Sequence, residues 1–164
     1  MRSILKVNWD SNLPIYAISQ SELQKKGIHS LLLDVDGTLV NRKSNMIPKT
    51  VKNWIIESKK LFSLYLVSNN PSKKRIQKLA KELNLRYKYN ASKPRKKETL
   101  FVIKEIGIDT EKIAIIGDRI FTDIIVGNRC NIKTILVKRL NKDGLPIKFN
   151  LTLTIEKLIS HFIK

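Results

Sequence analysis

The chain is short of cysteine, of acidic residues and of long apolar runs, and each shortage removes a class of explanation. Its one cysteine, Cys130, excludes an internal disulfide and a zinc site of clustered thiolates, and it fits a reducing compartment. No segment approaches the ~18 consecutive apolar residues of a spanning helix, so any membrane contact is expected to be peripheral. Met1-Arg2-Ser3-Ile4-Leu5-Lys6 is basic but lacks the sustained apolar stretch of a secretory leader. Only 14 acids stand against 32 Lys and Arg, a net charge of +18. That excess favours polyanions: nucleic acid, an anionic membrane face or phosphorylated substrates. Compositional drift in a chain rich in Ile, Lys and Asn would give the same excess, and both causes can act together. With 164 residues, 42% of them hydrophobic, the chain can bury a core as one globular domain.

What is present is an alternation of apolar strands with amphipathic helices. Leu31-Leu32-Leu33-Asp34-Val35 reads as a buried strand running into a tight loop at Asp36-Gly37-Thr38. Before it, residues 14–18 are expected to be extended, and Ser19 or Ser21 to cap a short helix ending at Gly27. After it the pattern predicts a helix over 48–58, a strand over 61–67, a basic helix over 72–83 and a short edge strand over 86–89. A helix over 96–106 stopped by Gly107, a strand over 112–116, a helix over 121–129 and a strand over 133–137 follow. Residues 139–150 read as a polar loop, and Ile155, Leu158, Ile159 and Phe162 as the inward face of a last helix. Trp54, Phe62 and Phe101 are assigned to the core; His29 and His161 are given no role. The alternation predicts a parallel α/β sheet with right-handed crossovers. One domain over 1–164 results, with a lead-in over 1–30, a catalytic core over 31–138 and a closing loop and helix over 139–164.

The chemically capable residues all fall just past predicted strand ends, the edge where open parallel sheets bind ligands. Asp34 and Asp36 follow the first strand, Ser68 the second, Lys93 lies beyond the third, and Asp118 and Asp123 follow the fourth. A carboxylate ending a buried strand is costly without compensation. Asp34 suits a nucleophile toward phosphorus, which splits hydrolysis into two steps. Asp36 can protonate the leaving oxygen and then take a proton from water. Asp118 turns the aspartate pair into an oxygen-donor site for Mg²⁺, with Asp123 reaching the ion directly or through water. Ser68 offers a hydrogen bond and Lys93 a point charge to phosphoryl oxygens, while Gly37 and Thr38 add backbone and hydroxyl donors. An Asp-x-Asp pair alone could simply cap its loop; recurrence at four strand ends favours chemistry.

Asp34-Val35-Asp36-Gly37-Thr38, Ser68-Asn69, Lys93-Pro94 and Gly117-Asp118-x4-Asp123, in this order, resemble the motifs of the haloacid-dehalogenase-like (HAD) phosphatases. The resemblance implies a Rossmann-like three-layer sandwich with strand order 5-4-1-2-3. It implies Asp34, Asp36, Ser68 and Lys93 as catalytic, and Gly37, Thr38 and Asn69 on the substrate side. Asp34, Asp36, Asp118 and Asp123 would be ligands of Mg²⁺. The intervals 34–68 and 68–93 each already hold one helix and one strand, which leaves no room for a cap domain, so an open site is expected. Ser68-Asn69-Asn70, Ala91-Ser92-Lys93-Pro94, the run from Gly117 to Asp123, Gly127-Asn128-Arg129 and Tyr16-Ala17-Ile18 are similar to the YqeG-type branch, subfamily IIIA. That branch includes the phosphatidylglycerophosphate phosphatases of mitochondria and plastids.

The resulting expectation is a Mg²⁺-dependent phosphomonoesterase that converts phosphatidylglycerophosphate to phosphatidylglycerol. It would work in the cytoplasm or an organelle's stroma or matrix, peripheral to an anionic membrane. The alternative is a phosphatase of nucleic acid, protein or a small molecule, holding its polyanion at Lys73-Lys74-Arg75 and Arg95-Lys96-Lys97. A non-catalytic basic binding module is disfavoured by the intact motif set. The last helix is assigned to packing rather than lipid.

Overall fold

The computed structural model describes residues 4–148 and 150–162, with side chains described as far as residue 159. Six parallel strands form one sheet: β1 (Trp9–Asp10), β2 (Ser30–Leu33), β3 (Ser63–Val67), β4 (Arg86–Lys88), β5 (Ile113–Gly117) and β6 (Lys133–Leu136). Their order is β1-β6-β5-β2-β3-β4. The five expected strands thus stand in the expected order, and β1 extends the sheet beyond β6, with Trp9 opposite Ile135. Nothing in a two-residue strand alternates, so periodicity could not announce it. Asn8 fastens it instead: its backbone N–H donates to Thr134 Oγ1 at 3.0 Å, and its Oδ1 accepts from the Thr134 N–H at 2.9 Å.

Side-chain alternation sorts the two faces of the sheet. Leu31, Leu33, Leu64, Leu66, Ala114 and Ile116 turn to one face. There they meet α2 (Lys49–Lys59) through Val51, Trp54 and Ile55, and α3 (Lys73–Leu83) through Ile76, Leu79, Ala80 and Leu83. Leu32, Tyr65, Val67, Ile113 and Ile115 turn to the other face, against Val102 and Ile103 of α4 (Lys97–Ile106) and Val126 of α5 (Ile125–Arg129). Continuous apolar runs such as Leu31-Leu32-Leu33 are what a strand covered on both sides requires. Helix caps also follow the sequence: Ser19 accepts from the Glu22 N–H ahead of α1 (Gln20–Lys25), Ser72 accepts from the Arg75 N–H ahead of α3, and Gly107 ends α4 in the left-handed region.

Four local expectations are corrected. The segment around Tyr16 is a 3₁₀ turn, Ile15–Ala17, rather than extended, because Ile15 and Ile18 both enter the core and three residues per turn puts them on one side. The Trp54 indole N–H donates to the Ile18 carbonyl at 2.8 Å and holds that turn down. Phe101 is 52% exposed, with the Lys88 ammonium 5.1 Å from its ring centre. Thr99, Val102 and Ile103 form the inward row of α4, and that row leaves Leu100 and Phe101 outside. The helix expected over 121–129 begins with a π turn, Ile120–Ile124, before α5. Finally, α6 (Leu151–Phe162) turns its apolar row outward: Ile155 is 46% and Leu158 56% exposed. Glu156 is buried in their place, because its Oε2 accepts from the Ile120 N–H at 2.8 Å and Oε1 lies 3.4 Å from Arg119 Nε. His161 and Phe162 lie outside the described side chains.

Leu32 sits in the central strand, fully buried between β3 and β5. Leu32→Ala is expected to lower the unfolding free energy by about 2–5 kcal/mol in urea titration, because rigid neighbours cannot close the gap.

Candidate active site

The loops leaving β2, β3, β4 and β5 converge above one edge of the sheet. Asp34 follows β2, and its backbone N–H still donates to the Ile116 carbonyl of β5. Its carboxylate is held on both oxygens: Oδ1 accepts from Lys93 Nζ at 2.7 Å and Oδ2 from Thr38 Oγ1 at 3.0 Å. The Lys93 ammonium also donates to Asp123 Oδ1 at 2.6 Å and to the Val67 carbonyl at 2.8 Å, so all three of its protons are engaged. Burial works against that charge, yet the Asp123 and Asp34 carboxylates outweigh it and hold the lysine protonated well above its ordinary range.

Asp118, at the end of β5, pairs its Oδ2 with Arg139 Nε at 2.5 Å, while its buried Oδ1 has no hydrogen-bond partner among the described residues. Asp123 stands on the π turn; its Oδ2 accepts from the Arg119 N–H at 3.2 Å. Such widened turns occur often at functional sites, and this one sets a carboxylate beside the end of β5. Close approach there requires glycine: a Cβ on Gly117 would run into the Asp123 side chain. Gly37, at φ +98°, meets the same demand from the other side, since a Cβ there would lie 2.7 Å from Asp118 Oδ2.

Asp34, Asp118 and Asp123 each offer an oxygen within 4.8 Å of the others. Burial, then the Asp34 and Asp123 charges, push Asp118 up to about 7 against the pull of Arg139. Burial likewise raises Asp123 to about 6, against Lys93. Crowded buried carboxylates that resist ionisation, one with an unpartnered oxygen, fit a hard divalent cation bound through oxygen.

The structure departs from the sequence reading at two residues. The Asp36 carboxylate is outside this triad: Oδ1 lies 2.7 Å from Arg75 Nη1 and Oδ2 accepts from Asn70 Nδ2 at 2.8 Å. Asn69 borders the cavity, but its amide is committed to the Lys93 backbone, accepting from its N–H at 2.7 Å and donating to its carbonyl at 2.8 Å. Ser68 is buried and accepts from the Asn70 N–H at 3.1 Å. The Thr38 hydroxyl serves Asp34, and the Gly37 N–H donates to the Val40 carbonyl.

Three contributors have no assigned place among the site residues read from the sequence: Asn70, quoted there only within a motif, Arg75 and Arg139. Arg75 was grouped with Lys73 and Lys74 as a basic cluster, and its guanidinium is instead committed to Asp36 and to the Ser44 carbonyl. Arg139 lies just past β6, so the strand-end rule that found the other residues would have reached it as well.

A cavity of about 530 Å³ opens over this edge, lined by Asp34, Asp36, Ser68, Asn69, Lys93 and Asp123 together with Arg42, Lys43, Arg119, Arg139 and Lys142. Thr122 lines it from the π turn. No inserted unit stands between β2 and α2, or between α3 and α4, to cover it. Millimolar Mg²⁺ should raise the melting temperature by ~5 °C or more once it saturates the site. Asp118→Asn should abolish that increment, as read by differential scanning calorimetry.

Comparison with known proteins bears on the family and the fold. The sequence model of the family described as mitochondrial PGP phosphatase matches residues 2–140. "Probable phosphatase YqeG" of Bacillus subtilis (strain 168) is 30% identical over 139 residues, covering 83% of this chain and 80% of that protein. A crystal structure of an uncharacterized protein from Listeria monocytogenes serotype 4b superposes with TM-score 0.57 at 19% identity, over 77% of this chain and 86% of that one. The HAD hydrolase YfnB of Bacillus subtilis, in a magnesium-bound crystal, gives TM-score 0.55 at 14% identity, over 84% of this chain and 99% of that one. These two likenesses speak to the fold.

Proposed function

The chain belongs to the mitochondrial PGP phosphatase family and is a phosphoric monoester hydrolase of the HAD type, and on that premise we propose that it dephosphorylates phosphatidylglycerophosphate through an aspartyl-phosphate on Asp34. The observation that carries the reading is the cluster of Asp34, Asp118 and Asp123 beside an uncovered cavity, with Asp34 and Asp123 both bonded to the Lys93 ammonium.

Asp34 attacks phosphorus, and its carboxylate arrives aimed, because Lys93 and Thr38 fix its plane. As the phosphorus–oxygen bond to the alcohol breaks, Asp36, entering the step in its protonated form, gives that oxygen its proton and becomes the carboxylate that Arg75 pairs with. Water then attacks the acylphosphate, Asp36 takes its proton, and Asp34 leaves as carboxylate with release of inorganic phosphate. Arg75 and Asn70 hold Asp36 in place for both transfers. Asp34, Asp118 and Asp123 would hold Mg²⁺, which supplies charge neutralisation for the phosphoryl oxygens. Lys93 adds a fixed positive charge to the same end, positioned through its backbone by Asn69.

A bilayer-borne substrate accords with the uncovered site, since the bulk of a lipid can stay outside. It also accords with α6, which exposes Leu151, Ile155 and Leu158 on a chain of net charge +18. Basic residues near an anionic membrane contribute roughly 1 kcal/mol each. The proposed location is therefore peripheral, on a cytoplasmic, stromal or matrix membrane face; among the described residues no helix is long and apolar enough to cross a membrane.

Phosphate release from phosphatidylglycerophosphate in mixed micelles tests the chemistry. Mg²⁺-dependent release is expected, falling to the uncatalysed background in Asp34→Asn. An aryl phosphate and a 3′-phosphorylated oligonucleotide run beside it; turnover of those without the lipid would remove the substrate assignment and leave the phosphatase. Membrane contact is read separately by co-sedimentation with phosphatidylglycerol vesicles. Ile155→Glu with Leu158→Glu should release the protein from the vesicles while turnover of the aryl phosphate persists.

A further inference from the structure

Within the site, four carboxylates face three cations: Lys93 on Asp34 and Asp123, Arg75 on Asp36, and Arg139 on Asp118. A divalent ion and the two charges of a phosphate monoester would then leave the inner cavity close to neutral. The outer wall holds positive charge that this balance does not use. Arg42 and Lys43, on the loop after β2, and Lys142, on the loop after β6, line the same cavity and are exposed. Among the described residues no acid pairs with any of the three. Arg119, by contrast, lies beside the Glu156 carboxylate.

The two loops are built to stay together. Asn41 donates from Nδ2 to the Leu140 carbonyl at 3.2 Å, and its Oδ1 accepts from the Lys43 N–H at 3.0 Å. Asn141 performs the same service in the other loop, its Oδ1 accepting from the N–H groups of Asp143 and Leu145 at 2.9 Å. The Leu140 N–H in turn donates to the Gly37 carbonyl at 2.8 Å, which ties this rim to the loop that carries Asp36. On two cross-linked loops, three cations without an acid partner among the described residues thus line the cavity that Asp34 also lines.

We propose that Arg42, Lys43 and Lys142 form a second anion subsite, selecting phosphate monoesters that carry another phosphate group a short linker away. The proposal rests on the phosphatase reading and sharpens its substrate class: one phosphate is removed while the other is recognised. Long, flexible cationic side chains in water suit a phosphodiester that remains partly solvated at the rim, where their pull is modest singly and useful together. A lipid headgroup and its soluble glycerol analogue share this chemistry, so the subsite can be read without a membrane.

The test compares kcat/KM for two soluble substrates: glycerol 3-phosphate, and deacylated phosphatidylglycerophosphate, which keeps the diester and the terminal monoester. The intact chain should prefer the second by about tenfold or more. Replacing Arg42, Lys43 and Lys142 together with Ala should erase the preference, chiefly through KM of the diester substrate. Arg42→Lys with Lys43→Arg and Lys142→Arg should restore it. Absence of preference in the intact chain, its survival in the Ala variant, or an equal fall for both substrates would overturn the subsite. Calorimetry with Asp34→Asn gives a readout free of turnover. If that variant binds the diester compound more tightly than glycerol 3-phosphate, and loses the difference with the rim removed, the subsite stands even where no phosphate is released. Equal binding of the two compounds, or no binding, overturns it.

Discussion

The Lys93 ammonium is the contact on which the catalytic edge depends. It is buried and shared by Asp34, Asp123 and the Val67 carbonyl, and so joins the last residue of β3 to residues that follow β2 and β5. A buried pair of this kind adds little net stability when intact but leaves a costly lone charge when one partner is lost, roughly 3–5 kcal/mol. The arrangement is therefore self-enforcing: each member is tolerable only in the presence of the others. Asn69 takes up the Lys93 backbone on both sides, which ties the loop after β3 to the one that carries Lys93.

The sheet makes that meeting possible by putting β5 and β3 on either side of β2. Leu33 lies opposite Ile116 on one side and Leu66 on the other, so the chain leaves these strands at one level. Asp34 begins one residue later, and Asp118 one residue past the end of β5. The apolar runs below them are dry, and the carboxylates are accordingly desolvated, which is what raises Asp118 and Asp123. Stability and chemistry are drawn from the same buried strands: the leucines that seal the sheet also remove the water that would screen the site.

Periodicity and strand-end position made much of this legible in the sequence. Leu31-Leu32-Leu33 reads as a strand covered on both faces, and the polar residues after successive strands mark the edge. What stayed hidden was long-range or rotational. Which side of α6 faces inward is decided by Glu156 accepting from the Ile120 N–H, a hydrogen bond that no hydrophobic pattern encodes. Phe101 is large and aromatic but stands outside the row Thr99, Val102 and Ile103 that forms the buried stripe of α4. The commitment of Asp36 to Arg75 joins a strand-end loop to a distant helix, and its sequence neighbours Lys73 and Lys74 gave the arginine the look of a solvated charge run.

The basic excess shows the same limit most clearly, because net charge is a sum and a site is a placement. Lys93, Arg75 and Arg139 neutralise the carboxylates gathered at the strand ends. Lys59 donates to the Leu83 and Asn84 carbonyls at the end of α3, and Lys52 pairs with Glu82, which are structural uses. A composition drifting toward lysine would add charge everywhere without regard to loop geometry. The cations of the cavity rim differ from that background because asparagine-closed loops hold them at the cavity that Asp34 also lines, and among the described residues no acid forms an ion pair with them. A rim of this sign accelerates capture of anions and would slow release of a product that keeps its phosphate, unless water continues to screen the contact. Exposure of Arg42, Lys43 and Lys142 is therefore part of what makes them useful: buried, they would hold the product as firmly as the substrate.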